Sequence, residues 1–308
     1  MNQAPIALFA YNRPDHVKRT VEALLRNTGA ASSDLYVFSD AARNPAAEEG
    51  VALVRDYIRR IDGFRTVEIV EREQNLGLAR SIVDGVTRLC NARGRVIVVE
   101  DDLLTSPHFL EFMNDGLEFY EKDERVISIH GYSYPVRSAL PDTFFLRGAD
   151  CWGWATWKRG WNLFEDNGRI LLEQLTTRRL TNRFDFDGAY PYTRMLSDQI
   201  AGRNDSWAIR WNASAFLEDK LTLYPGRSLV LNIGNDGSGT HCSTTEDYSG
   251  MLSDDPIGIG AISVQEHAEA RELFARFLRS SRPSLLAKVF RKVAGAMDNR
   301  RRPMQGGR

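Results

Sequence analysis

The chain has 308 residues, 43% of them hydrophobic and 26% charged, which is enough to bury a substantial core as one large domain or two fused ones. Its formal net charge of −1 gives no global case for nucleic acid as a partner. Cys90, Cys151 and Cys242 form no Cys-x-x-Cys pair, which argues against a zinc site or a disulfide framework and fits a reducing cytoplasm.

The first 130 residues alternate strand and helix. An apolar strand at 6–10 is followed by a helix in which Asp15 is the expected N-cap and Val17, Val21, Leu24 and Leu25 form the buried stripe. A strand at 35–38 ends in Ser39-Asp40, and a helix at 48–61 buries Val51, Val54, Ile58 and Ile61. A strand at 66–70, a helix at 78–90, a strand at 95–99, a helix at 107–121 and a fifth strand at 126–129 complete the series. Strands separated by helices of this length imply right-handed βαβ crossovers and a parallel sheet. The turn after the first strand, Ala10-Tyr11-Asn12-Arg13-Pro14, lacks Gly-x-Gly-x-x-Gly, so no dinucleotide cofactor is expected.

The densest chemical signal is the strand Arg95-Val96-Ile97-Val98-Val99 running into Glu100-Asp101-Asp102. Its β-branched residues suit a central strand covered on both faces. Ligands of open α/β sheets bind outside the carboxyl ends of such strands. Three acids crowded there repel one another unless a cation sits among them. Hard oxygen ligands suit Mg²⁺ or Mn²⁺, usually shared with substrate phosphates. Two other readings compete. The acids could serve only to cap the helix that Ser106-Pro107 opens. They could also be the Walker-B acids of a phosphate-binding-loop NTPase, but that needs Gly-x-x-x-x-Gly-Lys-Ser/Thr, which the chain lacks.

The second half changes character. Trp152, Trp154, Trp157 and Trp161 lie close together, and Trp207 and Trp211 follow Asp205. Such density suits either core packing of large rings or a surface on which sugar rings stack. From Arg282 to Arg308 the chain holds eight Lys and Arg against Asp298 alone, with Leu285, Leu286, Val289, Phe290 and Val293 at helical spacing. That pattern reads either as a basic amphipathic element for a membrane surface or as a solubilising tail. Neither a secretory signal nor a membrane-spanning run is expected.

Taken in order, these features resemble the GT-A-fold glycosyltransferases. The N-terminal half is similar to the broad family-2 group, and the stretch from Arg95 onward to the N-acetylglucosaminyltransferase I (family 13) type. The motifs are Ala10-Tyr11-Asn12-Arg13-Pro14, Ser39-Asp40, Asn75-Leu76-Gly77, Glu100-Asp101-Asp102 with Pro107-x-Phe109, Gly153-Trp154, Asn204-Asp205-Ser206-Trp207 and Gly239-Thr240-His241. They span about residues 4 to 245. The resemblance implies a mainly parallel α/β sheet flanked by helices, in three parts. Residues 1–130 would form a nucleotide-sugar-binding half, 131–265 a Trp-rich acceptor-binding half of the same domain, and 266–308 a C-terminal helix and basic tail.

It also implies inverting, metal-dependent transfer of a sugar from a UDP-sugar, with UDP-N-acetylglucosamine favoured. The acceptor would be a hydroxyl of a glycan or lipid-linked glycan in bacterial surface-glycan assembly, with the tail touching the inner face of the membrane. Residue by residue, Ala10, Tyr11 and Trp154 would line the donor, Arg13 and Arg80 would offset diphosphate charge, and Asp40 would accept from the base. Asn75 and Gly77 would border nucleotide and sugar. Asp102 would ligate Mn²⁺ or Mg²⁺, with His241 as a further metal ligand. Glu100 and Asp101 would hold ribose, sugar hydroxyls or metal waters. Glu100 departs from the family-2 Asp-x-Asp pattern, and its longer arm favours a ribose or sugar contact over a second metal bond. Asp205 would be the general base, its pKa raised as the neighbouring indole excludes water, with Asp198 and then Asp150 behind it; alternatively Asp205 only caps the helix that follows. A sugar-phosphate nucleotidyltransferase and a non-catalytic carbohydrate- or membrane-surface-binding protein are the competing functions.

Overall fold

The computed structural model describes residues 3–234 and 251–281. His241, the flanking Gly239-Thr240 and the basic tail lie outside them.

Strands β1 (Ile6–Ala10) and β2 (Asp34–Ser39) are buried along their whole length, as strands covered on both faces must be. β3 (Thr66–Glu71) pairs parallel with β2, β2 with β1, and β1 with β4 (Arg95–Glu100). The crossovers are α1 (Pro14–Leu25), α2 (Glu48–Ile58) and α3 (Leu78–Arg93). After β4 come β5 (Leu103–Thr105), α4 (Phe109–Phe119), β6 (Val126–His130), β7 (Thr143–Arg147) and β8 (Trp154–Trp157). A helical stretch follows: α5 (Lys158–Trp161), α6 (Gly168–Thr177), α7 (Thr181–Phe184), α8 (Tyr192–Ile200) and α9 (Trp207–Leu217). β9 (Leu221–Pro225), β10 (Val230–Asn232) and α10 (Ala268–Ser280) complete the chain order.

The result is a mixed α/β fold around an eight-stranded sheet, in the order β3-β2-β1-β4-β8-β6-β9-β7. β8 and β7 run against the other strands, and the rest are parallel. The fifth expected strand, β6, is therefore not the neighbour of β4: β8 lies between them, antiparallel to both. β8 is only four residues long and buried throughout, too short to show a period, so the sequence pattern registers only its tryptophans.

Three element boundaries also differ from expectation. Pro14 occupies the first turn of α1 and Arg13 the cap position, so Asp15 sits inside the first turn, where its charge suits the helix dipole without capping. α2 stops at Ile58, and Ile61 packs on the core from the following loop. α4 begins at Phe109 because residues just before it form β5, which pairs antiparallel with β10. The strand-end acids are thereby separated from α4 and do not cap it.

Alternation along β1 divides the core. Ile6 and Leu8 join α1, α2 and α4 on one face, whereas Ala7 and Phe9 join α3, Trp154, Trp161, Trp207 and Trp211 on the other. Register then levels the strand ends: Phe9 lies opposite Glu100, Ala10 opposite Ser39, and both Val98 and His130 opposite Trp154.

The distance of α3 from the sheet depends on Gly85. A Cβ there would stand 2.7 Å from the Phe9 ring and 3.1 Å from that of Phe38, which stacks on Phe9. Gly85→Ala should cost about 1–3 kcal/mol despite its higher helix propensity. Urea denaturation measures it, and an unchanged midpoint would mean that the helix shifts freely.

Candidate active site

A cavity of about 770 Å³ opens over the carboxyl ends of β1, β2 and β4 and runs inward toward α8 and α10. Its outer end is polar. Tyr11, Arg13, Asp40, Arg43, Asn75 and Gly77 line it together with Glu100, Asp101 and Asp102. Its inner end is aromatic, with Tyr132, Tyr134, Trp152, Phe186, Tyr190, Tyr192 and Tyr224 around Asp150.

Arg13 organises the acid cluster. From its cap position its Nη2 donates to Asp101 and, at 2.8 Å, to Asp102. Asp101 also accepts from the Tyr11 amide at 3.2 Å. Burial works against the guanidinium charge, but the two aspartates outweigh it and push the Arg13 pKa up. One cation does not balance three carboxylates. Burial, then the charges of Asp102 and Asp101, push Glu100 well above the usual carboxylate range. Burial also lifts Asp101, in spite of Arg13. β10 closes the cluster from above: the Ile233 amide donates to the Asp102 carbonyl at 2.8 Å, and a Cβ on Gly234 would stand 2.2 Å from the Asp102 carboxylate.

This donor set fits a hard divalent cation: carboxylate oxygens at a strand end, with negative charge in excess of the built-in cation. Asp102 would hold it, with Glu100 beside it in the cluster. Among the described residues, no three His, Cys, Asp or Glu side chains converge on a single metal position, because Arg13 holds Asp101 and Asp102 toward itself.

Asp40, expected to accept from the base, is engaged within the fold instead. Its carboxylate accepts from the Ala41 amide (2.9 Å), the Leu76 amide (2.9 Å), the Gly77 amide (2.9 Å) and Asn75 Nδ2 (3.0 Å). A carboxylate offers about four acceptor positions, so none is left for a base N–H. Asp40 instead fixes the 75–77 loop at the mouth of the cavity. Gly77 takes φ +75° there, a conformation that favours glycine, and starts α3.

The remaining expected residues divide. Ala10 lines the cavity, but Arg80 is exposed on α3 and does not. Trp154 is fully buried and stacks on Trp207 at 5.5 Å, behind the lining. Five of the six tryptophans are buried in the core, which bears out the packing reading for them; Trp152, half-buried, and Trp207, at the edge of the core, also line the cavity.

Asp205 lies at the mouth, where a Cβ on Gly77 would be 3.9 Å from its carboxylate. It does not cap α9: Ser206 does, accepting from the Ile209 amide at 3.2 Å. Trp207 packs inward, leaving the Asp205 side chain 66% exposed, so the expected exclusion of water by the indole is not met. Asp198 pairs with Arg203 and Arg194 away from the cavity. Asp150, by contrast, sits inside, its Oδ1 accepting from the Cys151 amide at 2.8 Å. Cys151 links the two ends: burial, then Asp150, then Glu100, push its thiol well up.

Sequence reasoning missed the tyrosine-rich inner end. Its residues come from the loop after β6, the loop into β8, the segment leading into α8, and β9, and only Tyr190-Pro191-Tyr192 groups any of its tyrosines locally in the sequence.

No protein-family model matches the chain, and no curated protein does. Among solved structures the chain is similar to the mannosyltransferase PcManGT from Pyrobaculum calidifontis in complex with GDP-Man and Mn²⁺, at 10% identity over 70% of this chain and 69% of that one, with a TM-score of 0.35. It is also similar to S. aureus TarS 1-349 in complex with UDP-GlcNAc, at 12% identity over 57% of this chain and 47% of that one, with a TM-score of 0.30. Likenesses this distant assign no activity, and the fold rests on the strand order and register above.

Arg13→Gln should expose the charge imbalance. Removing one partner of such a pair costs about 2–3 kcal/mol where the pair is mostly buried. Glu100 and Asp101 are raised in the folded state, so their ionisation opposes folding. The stability gap to wild type should therefore widen as pH rises above the ordinary carboxylate range. Urea denaturation at acidic and neutral pH measures it, and a gap that shrinks with rising pH would contradict the assignment.

Proposed function

We propose that this chain is a GT-A-type glycosyltransferase that moves a sugar from a UDP-sugar to a hydroxyl acceptor with inversion at the anomeric carbon. The observation that carries this is one cavity joining an acid cluster at the carboxyl end of a central strand to an aromatic interior. The outer end then takes the nucleotide diphosphate. Arg13 has an Nη1 that makes no hydrogen bond, a donor available to a phosphate oxygen. Tyr11 and the 75–77 loop, held by Asp40, border nucleotide and sugar. A Mg²⁺ or Mn²⁺ would be held by Asp102, with Glu100 beside it, and would supply Lewis-acid stabilisation of the charge that develops on the departing diphosphate.

The acceptor oxygen bonds to the anomeric carbon, the bond to the diphosphate oxygen breaks, and a carboxylate within hydrogen-bond reach takes the acceptor's proton. Asp205 at the mouth and Asp150 inside are the two carboxylates of the cavity outside the acid cluster and the Asp40 loop anchor. A single displacement of this kind needs no enzyme nucleophile. UDP-N-acetylglucosamine is favoured as donor by the family-13 resemblance. The basic residues beyond Arg282 fit a contact with the inner face of a membrane, and no described helix is long and apolar enough to cross one.

Thermal unfolding with UDP and Mn²⁺, together and separately, tests the reading. UDP should raise Tm by several degrees only when Mn²⁺ is present, and Asp102→Asn should remove the metal-dependent part. A UDP shift that is independent of metal, or none from any nucleoside diphosphate, would refute it.

A further inference from the structure

We propose that the inner end of the cavity is a subsite for an uncharged sugar ring, and that Asp150 and a strained Phe186 loop make it selective. Calling that sugar the acceptor rests on the transferase reading; the subsite itself does not.

Aromatic rings meet there at steep angles, and the half-buried Tyr134, Trp152, Phe186, Tyr190 and Tyr192 line the cavity. Tyr132 stands against Trp152 at 4.8 Å and 75°, and Tyr134 against Phe274 at 4.7 Å and 84°. A pyranose has an apolar C–H face that packs on such rings and hydroxyls that need polar partners at its rim.

Charge then selects among sugars. Asp150 is the acid inside this end, and its Oδ2 lies 3.8 Å from Nε2 of His130. His130 is fully buried behind it with neither ring nitrogen hydrogen-bonded, and burial pushes its pKa down to about 4 in spite of Asp150, so it brings no positive charge. Arg147 reaches the lining, but its guanidinium donates to the Phe216 carbonyl at 2.9 and 2.8 Å, stacks on that ring at 4.2 Å and pairs with Asp219 at 3.0 Å. Arg13 and Arg43 belong to the outer end. The inner end thus offers a carboxylate to hydroxyl donors and, among its described lining residues, no uncommitted cation to a phosphate.

The wall is held in a costly conformation. Phe186 and Asp187 take φ of 51° and 52°, and Gly188 takes 76°. A bulky residue in the left-handed region is an outlier that persists only where the surroundings impose it. Arg271 does so here. It lies 5.1 Å over the Phe186 ring and donates to Asp187 at 2.5 Å, while Glu266 stands 3.6 Å behind it. The loop is closed further by the Asp187 amide on the Asn182 carbonyl (2.9 Å) and the Tyr190 amide on the Asp185 carbonyl (3.0 Å). The Phe186 ring packs against the cluster of Phe144, Leu146, Tyr224 and Phe274 and also lines the cavity, so it is both part of the wall and a surface open to a ligand.

Calorimetric titration of the full chain with methyl and p-nitrophenyl hexosides, and with the matching hexose 6-phosphates, tests this, with UDP and Mn²⁺ titrated in parallel. At least one neutral hexoside should bind, and its 6-phosphate at least tenfold more weakly. Phe186→Gly, which removes the ring but suits the backbone, should lower Tm through the lost Arg271 and core contacts, remain folded, and weaken the hexoside at least tenfold. Asp150→Asn should narrow the gap between hexoside and phosphate. Both variants should keep their UDP affinity within twofold. Failure of every neutral hexoside, tighter binding of the phosphates, or an unaffected Phe186→Gly would overturn the proposal. Hexoside binding without any nucleotide binding would support the subsite and remove the transferase reading instead.

Discussion

Three carboxylates at the end of one strand are the constraint around which the site is arranged. Glu100, Asp101 and Asp102 follow a strand that is central in the sheet, so burial denies them most of the water that would otherwise screen their repulsion. Arg13 relieves part of it. Its position follows from the adjacent strand: β1 ends level with β4, and Pro14 starts α1 immediately beyond, which leaves Arg13 at the cap facing the acids. A shift of one residue in the β1–β4 register would turn that guanidinium away. β5 and β10 then pin the segment after the acids, and the Thr20 hydroxyl holds the Asp101 carbonyl at 2.8 Å.

Fixed in this way, the cluster retains an electrostatic deficit. The raised Glu100 and Asp101 and the elevated Arg13 are two sides of it, since the acids stabilise the guanidinium more than it can stabilise all of them. Such an arrangement is costly for the fold and favourable for a cationic ligand, which is the usual signature of function taking precedence over stability. Asp40 makes the contrast. It too sits at a strand end, buried beside the same cavity, but four donors satisfy it and it shapes a loop.

That contrast explains what the sequence reveals and what it hides. The β-branched run into three acids announces both a central strand and a charged site, because composition alone fixes burial and charge there. Asp40 is another strand-end acid in the sequence, yet its partners are amides at 76 and 77, which no pattern around residue 40 discloses. The capping of α9 turned on which of two adjacent residues, Asp205 or Ser206, accepts the bond, and both are favoured caps. β8 went unseen because four buried residues carry no period, and with it went the true neighbour of β4.

β8 also accounts for the depth of the cavity. An antiparallel strand inserted between β4 and β6 moves β6 and β9 one place further from the acids, and the loop that feeds β8, Gly148 to Gly153, crosses the gap so created. Asp150, Cys151 and Trp152 lie on that loop, with the acid cluster on one side and the tyrosines that follow β6 and lie on β9 on the other. Had β6 followed β4 directly, as a plain series of crossovers would place it, the tyrosines would stand against the acids with no room between. The inserted strand thus separates a charged end from an aromatic end by the width of one loop. A substrate bound at each end would meet its partner at that loop, beside Asp150.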